Sequence, residues 1–243
     1  MADTVDYGLD APGIVKNMFS RGGWSLFFGL ALWFMNRMEY PGPAAHLLLA
    51  LGIVGLGFMA VGAVMVWSSR VKKLELRDRL LDAVQLRGDE KVLDAGCGRG
   101  LLVIGAAKRL KSGRATGIDI WSNEDLANNN SETTRDNAKA EGVGDKVRIE
   151  TGDLRKLVYP DANFDVVVSN LAIHNISDKE ERAQAVRELY RVLKPGGRLA
   201  IYDLFRPDEY ATVLEASGAQ NVTKGPTEFL WAVPGKMITA SKP

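Results

Sequence analysis

Cysteine, histidine and net charge are all in short supply in this chain. One cysteine among 243 residues excludes an internal disulfide framework and a cysteine-rich metal site. Two histidines, His46 and His174, are too few for a histidine-built metal centre, so no metal ligands are expected. Lysine and arginine total 31 against 30 aspartates and glutamates, and a net charge of +1 gives no support to a nucleic-acid partner. Basic residues are also missing where a cleaved signal peptide needs them, because Asp3, Asp6 and Asp10 occupy that stretch. Apolar residues, at 46%, are not scarce, and they are unevenly spread.

The longest apolar run is Ala44 to Trp67, 24 residues without a charge. As a helix it would reach ~36 Å, enough for a hydrocarbon core of ~30 Å with some tilt. Gly52, Gly55, Met59 and Gly62 share one side of it. That stripe either receives a second helix closely or reflects how common glycine is in such helices. A shorter run, Gly22 to Met35, precedes it with Trp24 and Trp33 near its ends, and Phe19 or Met38 must be recruited to complete a span. It reads as the first leg of a hairpin over about 22–38, or else as a helix lying flat in the interface. Tyr40-Pro41-Gly42-Pro43 supplies the turn. Arg70, Lys72, Lys73, Arg77 and Arg79 follow the second run, while Lys16 and Arg21 precede the first. The bias puts both termini and everything after the second span in the cytoplasm. The basic cluster lies on an anionic leaflet or is an ordinary solvated face. Residues 1–69 are thus expected to form a two-span membrane anchor. Residues 70–89 then form an amphipathic linker helix through Val71, Leu74, Leu81 and Val84, and 90–243 a separate domain.

That domain begins on the stretch around which the chain is organised, Lys91-Val-Leu-Asp94-Ala-Gly96-Cys97-Gly98-Arg99-Gly100. Val92 and Leu93 read as a buried strand. Leu101, Leu102, Ile104, Gly105, Ala107 and Leu110 read as a helix starting at once. The glycines between them form a turn whose free N–H groups suit an anionic group at a helix start. Their spacing is not the G-x-G-x-x-G of a dinucleotide site. The carboxylate of Asp94 would repel a pyrophosphate and attract a ligand carrying an ammonium and a sulfonium. At every fixed position the stretch resembles motif I, D-x-G-x-G-x-G, of the class I S-adenosylmethionine-dependent methyltransferases.

The remaining chain extends the resemblance. Arg114 to Trp121 is a second strand ending in Asp119, which suits a ribose and in the resembling family binds it. Ile120 and Trp121 would lie against the adenine, with Trp121 equally readable as core filler. Asn123 to Ser131 is an asparagine-rich loop. Lys146 to Leu154 is a third strand, with Gly152, Asp153 and Leu154 matching the family's adenine-contacting turn. Phe164 to Asn175 is the most apolar strand and therefore central. Asn170 at its end would touch the methionine end of the cofactor, and His174 and Asn175 would face the acceptor. The Asn/Asp-Pro-Pro-Tyr of enzymes that methylate base or glutamine nitrogens is absent, since Leu171-Ala-Ile follows Asn170. Lys194-Pro-Gly-Gly197 turns into Arg198 to Asp203, another family feature. Val222 to Lys224 and Lys236 to Ala240 close the sheet.

The resemblance, covering Glu90 to Pro243, implies a seven-stranded Rossmann-like α/β sheet, parallel with one antiparallel edge strand. It also implies S-adenosyl-L-methionine as cofactor, leaving as S-adenosyl-L-homocysteine. Asp94, Gly96, Cys97, Gly98, Gly100, Asp119, Ile120, Trp121, Gly152, Asp153, Leu154 and Asn170 would hold it. Cys97 is read as a small residue tolerated in the turn rather than a catalytic thiol. His174 is the candidate base, or else a pocket wall or a hydrogen-bonded structural residue, and Asp203 a weaker candidate. The acceptor is expected to be small and apolar or lipid-like, entering from the bilayer. A nicotinamide oxidoreductase and a non-catalytic membrane scaffold are the competing classes, and oligomeric state is not readable.

Overall fold

The computed structural model describes residues 5–39, 44–122, 126, 129–230 and 233–243. They fall into two compact units, one from within 9–72 and 124–127, the other from within 1–8, 73–123 and 128–243. The expected turn at Tyr40 to Pro43 and most of the asparagine-rich loop lie outside the described residues.

In the first unit, helix α1 (Pro12–Glu39) packs on α2 (Ala44–Trp67). Glycine permits the approach. A Cβ on Gly55 would lie 3.0 Å from the carbonyl oxygen of Gly22, and one on Gly22 would lie 2.9 Å from that of Gly55. Ser25 Oγ donates to the Leu51 carbonyl at 2.8 Å, and the Phe19 ring covers Gly62. The expected stripe therefore receives α1. That helix starts well before the expected residue 22, with Pro12 favouring its first turn and Ile14, Val15 and Phe19 extending the apolar pattern. Trp24, Phe27, Phe28, Ile53, Leu56 and Val64 are all exposed. Among the described residues, only the helix containing α2 is long and apolar enough to cross a membrane, so the two-span hairpin rests on less than the sequence suggested.

The second unit is a sheet between two helical layers. Strands β1 (Lys91–Ala95), β2 (Arg114–Asp119), β3 (Val147–Thr151), β4 (Phe164–Asn170), β5 (Leu193–Leu204), β6 (Gln220–Lys224), β7 (Glu228–Leu230) and β8 (Val233–Ser241) are joined in the order β3-β2-β1-β4-β5-β8-β6. Strands β1 to β5 are parallel, and β8 runs antiparallel to both β5 and β6. Two expectations change. The antiparallel strand lies inside the sheet, with β6 at the edge. An eighth strand, β7, hairpins onto β8 through Leu230 opposite Val233, a pairing too short to show as a period in the sequence. Strand β4 is the middle of the path, as its apolar run predicts.

Strand alternation divides the core. Val92, Val166, Val168, Ala200 and Tyr202 face α3 (Lys73–Ala83) and α4 (Leu101–Arg109). Leu93, Val167, Leu199 and Ile201 face α6 (Lys179–Arg191) and α7 (Pro207–Ala216). Helix α5 (Ser131–Ala140) follows β2. Lys194 to Gly197 forms an insertion inside β5. Phe164 pairs with Leu193, then Val166 with Arg198, and the irregularity between them takes up the extra residues.

Helix α3 belongs to this core. Of the expected face, Leu81 and, just past the helix, Val84 are buried, whereas Val71 is exposed and Leu74 half-buried, and Leu76 and Leu80 complete the inward side instead. Gly105 of α4 lets Arg77 and Leu81 pack against its backbone. The basic cluster is also largely engaged. Lys73 is buried with its ammonium on the carbonyls of Tyr7 and Gly8, Arg77 pairs with Asp78, and Arg79 pairs with Glu228.

Candidate functional site

Strands β1, β2 and β3 step outward in one direction and β4 returns to the other side of β1, so the carboxyl ends of β1 and β4 flank the topological switch point. Asp94 stands there, 1% exposed. Its Oδ2 accepts from Val103 N–H in the first turn of α4 at 2.8 Å, and its Oδ1 is buried without a partner. Burial pushes its carboxyl up to about 8, with the charge of Asp119 adding to the rise and the Val103 N–H opposing it. On the next strand, Asn170 Oδ1 is likewise buried without a partner. Two acceptors without donors, on neighbouring strand ends, suit a ligand that brings N–H donors and positive charge.

The glycine turn is fixed by the backbone. Gly96 N–H and Cys97 N–H both donate to the Ile118 carbonyl, at 2.8 and 3.1 Å, and Gly98 N–H donates to Asp119 Oδ2 at 2.8 Å. A Cβ on Gly96 would meet Ala172 at 2.3 Å, and Gly100 adopts φ +93°, which favours glycine. Cys97 is buried, and its sulfur lies where a Cβ on Gly117 would come within 2.8 Å. Burial and the charges of Asp94 and Asp119 push its thiol well above the usual range, so it is no nucleophile.

Asp119 also accepts from Trp121 N–H at 2.6 Å and from Asn129 Nδ2 at 3.3 Å. Asn129, buried beside it, comes from the asparagine-rich loop and was not singled out in the sequence. Ile120 is 62% exposed, and Trp121 is half-buried with its indole donating to Thr151 Oγ1 at 2.8 Å. Gly152 N–H donates to the Asp119 carbonyl at 3.0 Å, and Leu154 is buried. The carboxylate of Asp153 is gripped by the Arg155 guanidinium, which holds it below the usual range. A ligand amine would therefore have to share Asp153 with that arginine.

The structure brings His174 and Asp203 together. His174 occupies a 3₁₀ turn, Ile173–Asn175, after β4, while Asp203 is fully buried near the end of β5. Four groups converge on Asp203: His174 Nδ1 at 2.5 Å and Leu204 N–H at 2.9 Å on Oδ1, with His174 N–H at 2.9 Å and the Tyr210 hydroxyl at 3.1 Å on Oδ2. Burial, together with the charge of Asp203, raises the Tyr210 phenol far above its ordinary value, so it remains a donor. Arg182, buried in α6, braces the same loop by donating to the carbonyls of Ile176 and Ser177 while pairing with Glu209. Tyr210 and Arg182 escape sequence reasoning because both depend on how α6 and α7 pack. Asn175 lies in the same turn as His174.

A mixed sheet, parallel through β1 to β5, with an acid at its switch point, a glycine turn and a second acid on the adjoining strand, has the class I S-adenosylmethionine-dependent methyltransferase fold. Residues 93–201 match the family model described as a methyltransferase domain. The chain is 36% identical over 151 residues to a 27-O-demethylrifamycin SV methyltransferase of Amycolatopsis mediterranei, covering 62% of this chain and 52% of that protein. It is 34% identical over 134 residues to a demethylmenaquinone methyltransferase of Lactiplantibacillus plantarum, covering 55% of this chain and 53% of the relative. The chain thus spans about half the length of the curated relatives it matches. Geranyl diphosphate C-methyltransferase from Streptomyces coelicolor, solved with Mg2+, geranyl diphosphate and S-adenosyl-L-homocysteine, superposes with a TM-score of 0.56 at 15% identity, over 70% of this chain and 78% of that one. This last likeness is one of fold.

Proposed function

We propose that this protein is a membrane-anchored methyltransferase that carries the methyl group of S-adenosylmethionine to a small, apolar or lipid-like acceptor. The observation that carries the reading is the pair of unpartnered buried acceptors, Asp94 Oδ1 and Asn170 Oδ1, at the switch point. A methionine ammonium has the donors and the charge that both lack. Asp119 would take the ribose hydroxyls, and Gly152 to Leu154 with Ile120 and Trp121 would border the base. The backbone of Gly96, Cys97, Gly98 and Gly100 lets the ligand approach. When bound, the cofactor supplies a methyl group on a sulfonium, open to in-line displacement.

The chain's own contribution begins with proton transfer. Asp203 orients the His174 imidazole and holds the proton on Nδ1, which makes Nε2 the basic nitrogen facing an acceptor hydroxyl. Tyr210 and the Leu204 N–H keep the carboxylate fixed while the ring gains charge.

Support for an apolar acceptor comes from the chain's own proposed anchor and from the relatives, whose names specify 27-O-demethylrifamycin SV and demethylmenaquinone. The proposed anchor is a two-span hairpin, with both termini and the catalytic domain in the cytoplasm. The Lys and Arg bias supports this orientation, since insertion counts those residues whatever ion pairs they later form.

Thermal-shift titration of the full chain in detergent tests the cofactor: S-adenosylhomocysteine raises Tm and NAD does not. Labelled methyl transfer into a lipid extract and into a polar metabolite extract tests the acceptor. Preference for the polar extract overturns the apolar reading.

A further inference from the structure

The geometry points to Phe205 as the residue that selects the acceptor, a platform for a planar aromatic compound whose hydroxyl is methylated. This rests on the methyl-transfer reading of the site and names its substrate class.

Phe205 directly follows β5, two residues after Asp203. Its φ of +64° is left-handed, and Arg206 N–H donates to the Leu204 carbonyl at 2.7 Å, closing a three-residue turn around it. A γ-turn of this hand is rare and strained, and such strain gathers where a side chain must be aimed for use. Two other non-glycine residues with positive φ lie on the same rim, Trp121 after β2 and Leu171 after β4. Both have structural work there: the Trp121 indole donates to Thr151, and Leu171 N–H donates to the Tyr202 carbonyl while its side chain packs on the core. Phe205 differs. Its side chain is 66% exposed, and its ring stands edge-on to the His174 imidazole at a centroid separation of 6.3 Å and an angle of 63°.

A strained turn thus holds a large apolar ring in water beside the proposed base. A planar ring laid on Phe205 would cover that apolar surface in the offset or edge geometry aromatic pairs favour, and would carry its substituents past His174. The base narrows the class further. A phenol ionises near ~10, close enough to imidazole for proton transfer during attack, while an aliphatic alcohol does not. The acceptor is therefore a phenol-type hydroxyl on an apolar ring. Its oxygen bonds to the methyl carbon as the carbon–sulfur bond breaks, and the electron pair stays on sulfur. The phenolic proton moves to His174 Nε2 and from there to water.

The test uses the full chain in detergent with 2-naphthol, 1-decanol and decanoic acid as probes, in wild type and in Phe205→Ala, Phe205→Gly and Phe205→Tyr. We expect 2-naphthol to be the preferred acceptor. Phe205→Ala and Phe205→Gly should each raise its KM about tenfold with kcat changed less than twofold, and Phe205→Tyr should restore KM. Phe205→Gly should also raise Tm by releasing the turn, separating lost recognition from lost folding. Preference for decanol or decanoic acid, an unchanged KM in Phe205→Ala, or S-adenosylhomocysteine binding without methylation of 2-naphthol overturns this proposal. Failure to bind S-adenosylhomocysteine overturns the methyl-transfer reading beneath it.

Discussion

Replacing Asp94 with asparagine should make the cofactor-free domain more stable and less able to bind its cofactor. Asp94 is buried, with one oxygen on Val103 N–H and the other on nothing, and its carboxyl is pushed up to about 8. In the unfolded chain the same group titrates near the ordinary carboxylate value of 3.8. Between those limits the native state binds more protons than the unfolded state, so native stability falls as pH rises from about 4 to about 8. The full loss from this one group is on the order of 5 kcal/mol. Asparagine does not titrate and keeps an oxygen for Val103, but it buries an amide N–H pair at a cost of about 1–3 kcal/mol. Near pH 4 the variant should thus match or trail wild type. Near pH 8 it should lead by roughly 3 kcal/mol, or about 6–12 °C in Tm for a domain of this size. Circular dichroism melts across that range are the assay, and parallel Tm curves for the two proteins refute the reasoning. Binding provides an independent check. A cationic ligand stabilises the ionised carboxylate, so wild type should release up to about one proton on taking up S-adenosylmethionine at pH 7. The release is read from calorimetry in two buffers of different ionisation enthalpy. Asp94→Asn should release none and bind roughly 10–100-fold more weakly.

Four further outcomes follow from the structure. His174→Gln should lower kcat by at least about 100-fold with S-adenosylhomocysteine affinity unchanged, and Asp203→Asn should shift the pH profile of kcat; a normal rate in His174→Gln removes it as the base. Gly55→Leu would drive a side chain into the Gly22 carbonyl, 3.0 Å from where its Cβ must sit, so α1 and α2 should separate and become protease-sensitive in detergent while the domain still binds S-adenosylhomocysteine. Lys73→Met leaves the Tyr7 and Gly8 carbonyls without their buried donor, 3.0 and 2.8 Å away, and should cost about 1–3 kcal/mol in domain melting.

What the sequence made legible, and what it hid, follows from the range of the interactions. The glycine turn, the acids at Asp94, Asp119 and Asp153, and the central place of β4 are local patterns, because each depends on residues within one strand or one turn. The hairpin stripe of Gly52, Gly55 and Gly62 was legible for the same reason. The length of α1 was not, because polar residues in its first turns broke the apolar run without breaking the helix. The inward face of α3 was legible only at its far end, Leu81 and Val84, because Val71 and Leu74 continue the apolar pattern of the preceding run. Only packing on α4 shows that Leu76 and Leu80 are buried alongside them. Strand β7 was missed because three residues leave no readable period, and its partner is set by the fold of β8.

The site divides along the same line. Asp153 reads from the sequence as a free strand-end acid, yet Arg155, two residues on, already occupies it. Its claim on an adenine amine is therefore weaker than that of Asp94 on an ammonium. Asp94 gains its importance from what it lacks, a donor for Oδ1, and a missing partner can be recognised only once every neighbour is in place. Asp203 is the opposite case. The sequence marks it only as the weaker candidate base, but α7 delivers Tyr210 and the turn after β4 delivers His174 to it, so it becomes a heavily engaged carboxylate that orients the histidine. An acid that needs no further donor fits the work of orienting a base. An acid left short of one fits the work of binding a cation. That contrast, rather than the presence of three acids in a row, is the ground on which Asp94 is proposed for the cofactor and Asp203 for the acceptor side.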